Sequence, residues 1–211
     1  MKRFLSILLA VCVLASTALC AAELDKKTRK RLEKEKKEKL KEYKKQGWQL
    51  LGSTRTLDGT LMRHYEKLEA LGDDGREVSG IATSVRSKNN GKQIATNNAC
   101  ITYGQQAGST LRGRVLAESN VNTTDPTTEF ENFFQAYERE VEKEIKGEMD
   151  ESFSIIRTNP DGTYEVQSYF IVSESAASKA RMRALENSMR ESEMARAHAE
   201  KISGFVQKAF E

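Results

Sequence analysis

The chain has 211 residues, with 34 Lys and Arg against 31 Asp and Glu and a formal net charge of +3. That length suits one domain with extras. Of the three cysteines, Cys12 and Cys20 stand near the start and only Cys100 lies within the body, which excludes an internal disulfide framework.

Residues 1–22 have the three parts of a secretory signal: Lys2 and Arg3, an apolar run from Phe4 to Leu14, then small residues to Ala22. The run is too short to span a membrane. Cleavage after Cys20 or Ala22 is expected. Cys20 is also a candidate lipidation site as the first residue of a bacterial lipoprotein, although Thr17-Ala18-Leu19 matches poorly what precedes such a cysteine.

Residues 23–46 form a charged arm. Its core, residues 25–45, carries about +7, whereas residues 46–211 carry about −5. Strong helix formers and four-residue Glu to Lys spacings predict a helix. Only Leu32, Leu40 and Tyr43 are apolar, so the expectation is a solvated spacer that buries no face. Its functional reading is contact with an anionic membrane or cell-wall polymer. Nucleic acid is not expected, because no aromatic is interleaved beyond Tyr43.

Residues 47–211 read as a single domain. Trp48 to Arg55 alternates weakly as a first strand. Thr56 offers an N-cap to a helix with Leu57, Leu61, Tyr65 and Leu68 on one stripe, closed by Gly72. Glu77 to Val85 follows as a strand. From Gly91 to Glu118 the composition is helical but rich in small residues: Ala95 and Ala99 allow a close backbone approach, and Gly104 to Gly108 predicts a break or kink. Asp125 and Pro126 then start another helix, whose face is Phe130, Phe133, Phe134, Tyr137, Val141 and Ile145. Glu138, Glu140, Glu142 and Glu144 are assigned to its wet side.

The firmest local signal is Phe153 to Val172, two strands about the turn Asn159-Pro160-Asp161-Gly162. A last helix is expected from Ser173 or Ser175 to about Phe210. Its first apolar line, Met182, Leu185 and Met189, is expected on the sheet. A second line is out of phase, and Met194, His198, Ile202 and Phe205 in it are the candidate partner interface. The fold class is therefore α+β: a small, mostly antiparallel sheet of about four strands packed by long amphipathic helices and preceded by a charged solvated helix.

No catalytic constellation is visible. His64 and His198 stand far apart, without Cys or carboxylate at metal-ligand spacing. There is no G-x-S-x-G, no S-x-x-K and no phosphate loop. Paired carboxylates such as Glu138 and Glu142 read as a solvated helix face. No catalytic residue, metal or cofactor is expected. Trp48, Tyr164 and Tyr169 are the candidate ligand face, since aromatic rings stack on sugars and lipids.

The strand Glu77 to Val85, the small-residue opening at Ala95 and Ala99, a second long helix, and Gly162-Thr163-Tyr164-Glu165-Val166 leading into Tyr169 to Val172 form an ordered series. In that order the chain resembles the small bacterial surface-lipoprotein family typified by a twenty-kilodalton gastric-pathogen antigen. It is also similar to the N-terminal domain of a flagellar ring assembly protein. The resemblance covers about half of the chain, from Glu77 to near Leu185, and supplies no functional residue. It implies a non-catalytic envelope protein, periplasmic or outer-membrane-associated, that binds another envelope protein or itself. A small-ligand, glycan or lipid-binding module is the alternative.

Overall fold

The turn at Asn159 organises the sheet. In the computed structural model, which describes residues 25–119, 128–191, 202, 203 and 206, strands β3 (Asp150–Thr158) and β4 (Tyr164–Ser173) pair antiparallel across it. Asn159 N–H donates to the Thr163 carbonyl at 2.8 Å, Gly162 N–H donates back to Asn159 at 3.0 Å, and Gly162 takes φ 80°. A side chain at that φ would be strained, which is why glycine closes the turn.

Strand β2 (Gly75–Val85) extends the sheet beyond β4, and the two-residue β1 (Gln49–Leu50) pairs with β3 on the other side, giving the antiparallel order β1-β3-β4-β2. Only this short piece of the first predicted strand enters the ladder. The helices are α1 (Lys26–Lys45), α2 (Leu57–Leu71), α3 (Lys88–Ser119), α4 (Thr128–Ile145) and α5 (Glu174–Ser188). The protein is α+β, with helices on both faces of the sheet.

Helix α3 lies directly on β2 and β4. The approach is backbone to backbone: a Cβ built on Gly80 would sit 2.1 Å from the Ala95 carbonyl oxygen and 2.4 Å from the Ala99 nitrogen. Ala95 and Ala99 are fully buried there, as their size foretold. The predicted break at Gly104 to Gly108 does not occur, and α3 is one continuous helix from Lys88 to Ser119. Those glycines admit α4 instead, since a Cβ at Gly104 would come 2.8 Å from the Glu138 carbonyl oxygen. Close packing offsets the helical cost of glycine.

Phe133, Phe134, Tyr137, Val141 and Ile145 on α4 are all at most 1 % exposed and form the centre of the largest apolar cluster. Carboxylates assigned to the wet side of α4 are half-buried: Glu138 lies against Gly108, and Glu142 reaches Gly104. Helix α5 packs on α4 through Ala177, Ala180, Ala184 and Leu185, rather than mainly on the sheet. The predicted helix start at Asp125 and Pro126 lies outside the described residues.

The opposite face of the sheet is covered by α1 and α2. Here the expectation of a solvated spacer is overturned. Leu32 and Tyr43 are each 2 % exposed, and Tyr43 joins Trp48, Leu61, Phe153, Ile155 and Tyr169 in a second core. A helix with three apolar residues in twenty cannot bury a broad face, but one tyrosine long enough to reach the sheet can fix it.

Candidate functional site

Helix α1 is assembled from two sets of side chains that do different work. Its start is capped by Asp25, whose carboxylate accepts from Lys27 N–H at 2.7 Å, Thr28 N–H at 3.1 Å and the Thr28 hydroxyl at 2.7 Å. The Thr28 hydroxyl first, then the two backbone donors, hold this carboxyl below its ordinary value.

Near its end, the Tyr43 hydroxyl donates to that of Tyr169 at 2.6 Å, and Tyr169 stacks on Phe153 with ring centroids 4.5 Å apart. Burial raises both phenols, Tyr169 up to about 12, so the pair is neutral and uncharged within the core. Arg31 reaches Glu69 at 2.6 Å, and Lys36, 13 % exposed, reaches Asp58 at 2.9 Å, which ties α1 to both ends of α2.

The twelve cations of this helix then divide cleanly. Arg29, Arg31, Lys36 and Lys39 are all paired, with Glu33, Glu35 and Glu69, Asp58, and Glu42 respectively. The other eight are Lys26, Lys27, Lys30, Lys34, Lys37, Lys41, Lys44 and Lys45, and every one is exposed. At 100° per residue these eight fall within an arc of about 100°, and no other residue of the helix falls in it. Only Lys34 among them has an ion-pair partner in the described residues, Glu38 at 4.0 Å. Leu32 and Tyr43 point the opposite way. The outcome is a lysine-only face about 28 Å long, held against the folded domain through Tyr43, Arg31 and Lys36.

Sequence reasoning missed this because it counted charges along the chain and did not project them round the helix. The heptad-like recurrence of unpaired Lys at three and four was the available signal.

His64 is buried, as a satisfied histidine should be, at 2 % exposure. Its Nε2 lies 2.5 Å from Glu77 Oε2 and its Nδ1 2.9 Å from Ser152 Oγ. The Glu77 carboxylate can only accept, so Nε2–H donates to it, and Nδ1 shares a hydrogen bond with the Ser152 hydroxyl. The imidazole thus joins β2 to β3 over the intervening β4, with the rings of Phe153 and Tyr169 packed edge-on against it. Ser152 sits at a register irregularity of β3, a place where bulges re-aim side chains. These three residues come from three elements, so their meeting is invisible to sequence.

The candidate ligand face is not one surface. Tyr169 and Trp48 are 6 % and 7 % exposed in the core beneath α1 and α2, whereas Tyr164 lies with Val166 and Ile156 on the side of α3. Positions 164 and 169 differ by an odd number on one strand, so they face opposite ways. Arg157 covers Trp48 and Lys88 covers Tyr164, at 4.8 and 5.1 Å from the ring centres. None of the three rings is presented as a free stacking platform.

Within the candidate partner interface, Ile202 is 1 % exposed and packs with Val206 in the main core, so it is structural rather than a free surface. Met194, His198 and Phe205, the candidate lipidation site Cys20 and residues 1–22 lie outside the described residues. Cys100 is buried, and burial pushes its thiol up, away from thiolate chemistry.

Two further features came from the fold alone. Arg181, wholly buried, donates to the Tyr103 hydroxyl at 2.6 Å and pairs with Glu174, which also takes Arg76. This fastens α5 to α3 and β2 inside the core. On the surface, Asn89, Lys92, Gln93, Thr96, Asn97 and Lys146 line a cleft of about 520 Å³ beside α3. Amides and ammonium groups there offer both donors and acceptors to a polar ligand. Among the described residues no group of three or more His, Cys, Asp or Glu could hold a metal ion, and no helix is long and apolar enough to cross a membrane. No protein-family model, curated protein or solved structure matches the chain.

Proposed function

We propose that this is a non-enzymatic, exported bacterial envelope protein with a structural or assembly role, which meets its surroundings through a basic helix fixed to an α+β domain. The observation that carries the reading is the clamp: Tyr43 bonded to Tyr169 makes the lysine face part of the folded body rather than a swinging tether. A face held in place transmits position to the domain, which suits a scaffold or adaptor. The signal-like residues 1–22 and the ordered elements from Glu77 to near Leu185 support the compartment.

The experiment is fractionation of cells producing the tagged full chain, combined with crosslinking of the intact envelope. Recovery in the periplasmic or membrane fraction with one discrete crosslinked species, hetero or homo, is the expected result. Recovery in the cytosol overturns it.

The second reading is a small-ligand or glycan module, and the observation favouring it is the amide-lined cleft beside α3. Helix α3 carries no charged residue from Gln93 to Leu111 in a chain that is 31 % charged, which suits a neutral polar ligand. An Asn97→Ala change that abolishes a glycan-induced thermal shift would establish it over the first.

A further inference from the structure

We propose that the lysine face of α1 docks on an anionic bilayer, with the helix lying along the plane of the headgroups. The inference rests on the envelope reading only for why a bilayer is within reach. Its geometry stands on the separation of charge described above.

Three features select a lipid surface over other anions. The face is straight, convex and about 28 Å long, which meets a plane. Wrapping a polymer would call for a groove. It is made of lysine alone, and an ammonium group is a point charge suited to mobile phosphates, whereas bidentate recognition of a fixed phosphate or carboxylate favours arginine. It contains no aromatic residue to stack nucleobases and no apolar residue to enter the acyl region. Contact is therefore electrostatic and peripheral.

The acidic side chains of the helix are placed consistently with this. Glu33, Glu35 and Glu42 neutralise the cations off the lysine face, Asp25 serves the cap, and Glu38, beside the face, meets only Lys34 of it, at 4.0 Å. Position along the chain agrees as well. Five residues lie between Cys20 and Lys26, a span of at most about 20 Å of extended chain. An acyl chain on Cys20 would deliver the lysine face to the headgroups, and a single lipid holds stably only with a second signal such as a polybasic patch.

The test is sedimentation of the purified full chain with vesicles of phosphatidylcholine alone or with phosphatidylglycerol added, at 0.1 M and 0.5 M salt. Each lysine at an anionic surface is worth about a fivefold in partitioning. The variant K30Q/K34Q/K37Q/K41Q keeps good helix formers at exposed positions, and it should bind phosphatidylglycerol vesicles more than 100-fold more weakly. A matched variant, R63Q/K67Q/K143Q/K179Q, removes the same charge from exposed sites on the body and should change binding little. Wild-type binding should fall steeply at 0.5 M salt.

Equal binding to the two vesicle types overturns the proposal, as does equal loss in the two variants, which would make net charge the cause. Binding to soluble polyphosphate without sedimentation on vesicles overturns it in favour of a polymer. A cytosolic location in the fractionation experiment would refute the envelope reading while leaving the vesicle result standing, so the two failures are distinguishable.

Discussion

Replacing Tyr43 with alanine separates a clamped helix from a solvated spacer. Tyr43 is 2 % exposed, packs against Trp48, Leu61 and Tyr169, and donates its hydroxyl at 2.6 Å to Tyr169. Truncating a buried aromatic to alanine costs about 3–5 kcal/mol. The Tyr169 hydroxyl also loses its partner, and a stranded buried hydroxyl adds about 1–3 kcal/mol unless water enters the cavity. The expected loss is thus about 4 kcal/mol or more, against a total stability on the order of 5–15 kcal/mol. With a urea m-value of about 2 kcal/mol/M, the unfolding midpoint should move down by about 2 M. Tyr43→Phe removes only the hydroxyl and should cost about 1–2 kcal/mol.

Circular dichroism in urea measures the loss, and limited trypsinolysis locates it. The exposed lysines of α1 are protected while the helix is docked, so Tyr43→Ala should be nicked within residues 26–45 well before the wild type. A midpoint within about 0.2 M of wild type, with unchanged cleavage of the arm, would refute the clamp. The arm would then be the spacer that its composition suggests.

Two glycines in contrasting surroundings give opposite expectations. Gly80→Ala places a methyl 2.1 Å from the Ala95 carbonyl oxygen, which only a shift of α3 relieves, whereas Gly113→Ala meets nothing within 4 Å on the exposed side of α3. By urea melts the first should lose about 3 kcal/mol or more and the second gain about 0.5–1 kcal/mol from helix propensity; a neutral Gly80→Ala would refute the packing of α3 on β2. Glu138 and Glu142 both have their carboxyls raised from 4.5 by burial. Their contribution to stability is fully present below 4.5 and is lost as pH rises through the raised folded value. Glu138→Gln should therefore stabilise the protein at pH 7 by a few tenths of a kcal/mol, discounted for partial exposure, and do nothing at pH 4. A larger gain at pH 4 than at pH 7 in thermal melts would reverse the argument.

What could be read from the sequence was whatever local chemistry decides. The hairpin was legible because Asn159 to Gly162 encodes a turn and the segments on either side are short and rich in β-branched and aromatic residues. Helix α2 was legible from Thr56, whose hydroxyl does accept from Gly59 N–H at 3.2 Å, and from its apolar stripe. The aromatic face of α4 was legible because four large rings at helical spacing have nowhere to go but a core. Gly104 and Gly108 were misread because propensity is a local quantity, and their purpose is set by α4, which approaches them. Glu138 and Glu142 were misread for the same reason: a polar side chain is wet only if nothing packs beside it. His64, Ser152 and Glu77 lie 13 and 88 residues from one another through the imidazole, and no spacing rule connects them. Arg181 is the extreme case, an arginine with no exposed surface whose partners belong to α3 and the start of α5 itself.

Helix α1 shows why charge content and charge placement have to be read separately. Had the lysines served only to keep the protein soluble, both signs would be interspersed around the helix, since mixed charge solubilises as well and strengthens the helix through four-residue pairs. The sequence does contain such pairs, but they gather on the docking side and the flanks, where Arg29, Arg31, Lys36 and Lys39 are all engaged, and among the described residues only the pair of Lys34 with Glu38, at 4.0 Å, draws on the lysine face. Eight exposed ammonium groups within an arc of about 100° repel one another. That repulsion costs stability in an isolated helix, and it is tolerated here because Tyr43 and Leu32 anchor the opposite side. The body carries the other sign, about −5 over residues 46–211. An anionic plane would therefore attract one side of the molecule and repel the rest, so the same charge asymmetry that draws the protein to such a surface also fixes which way round it lies there.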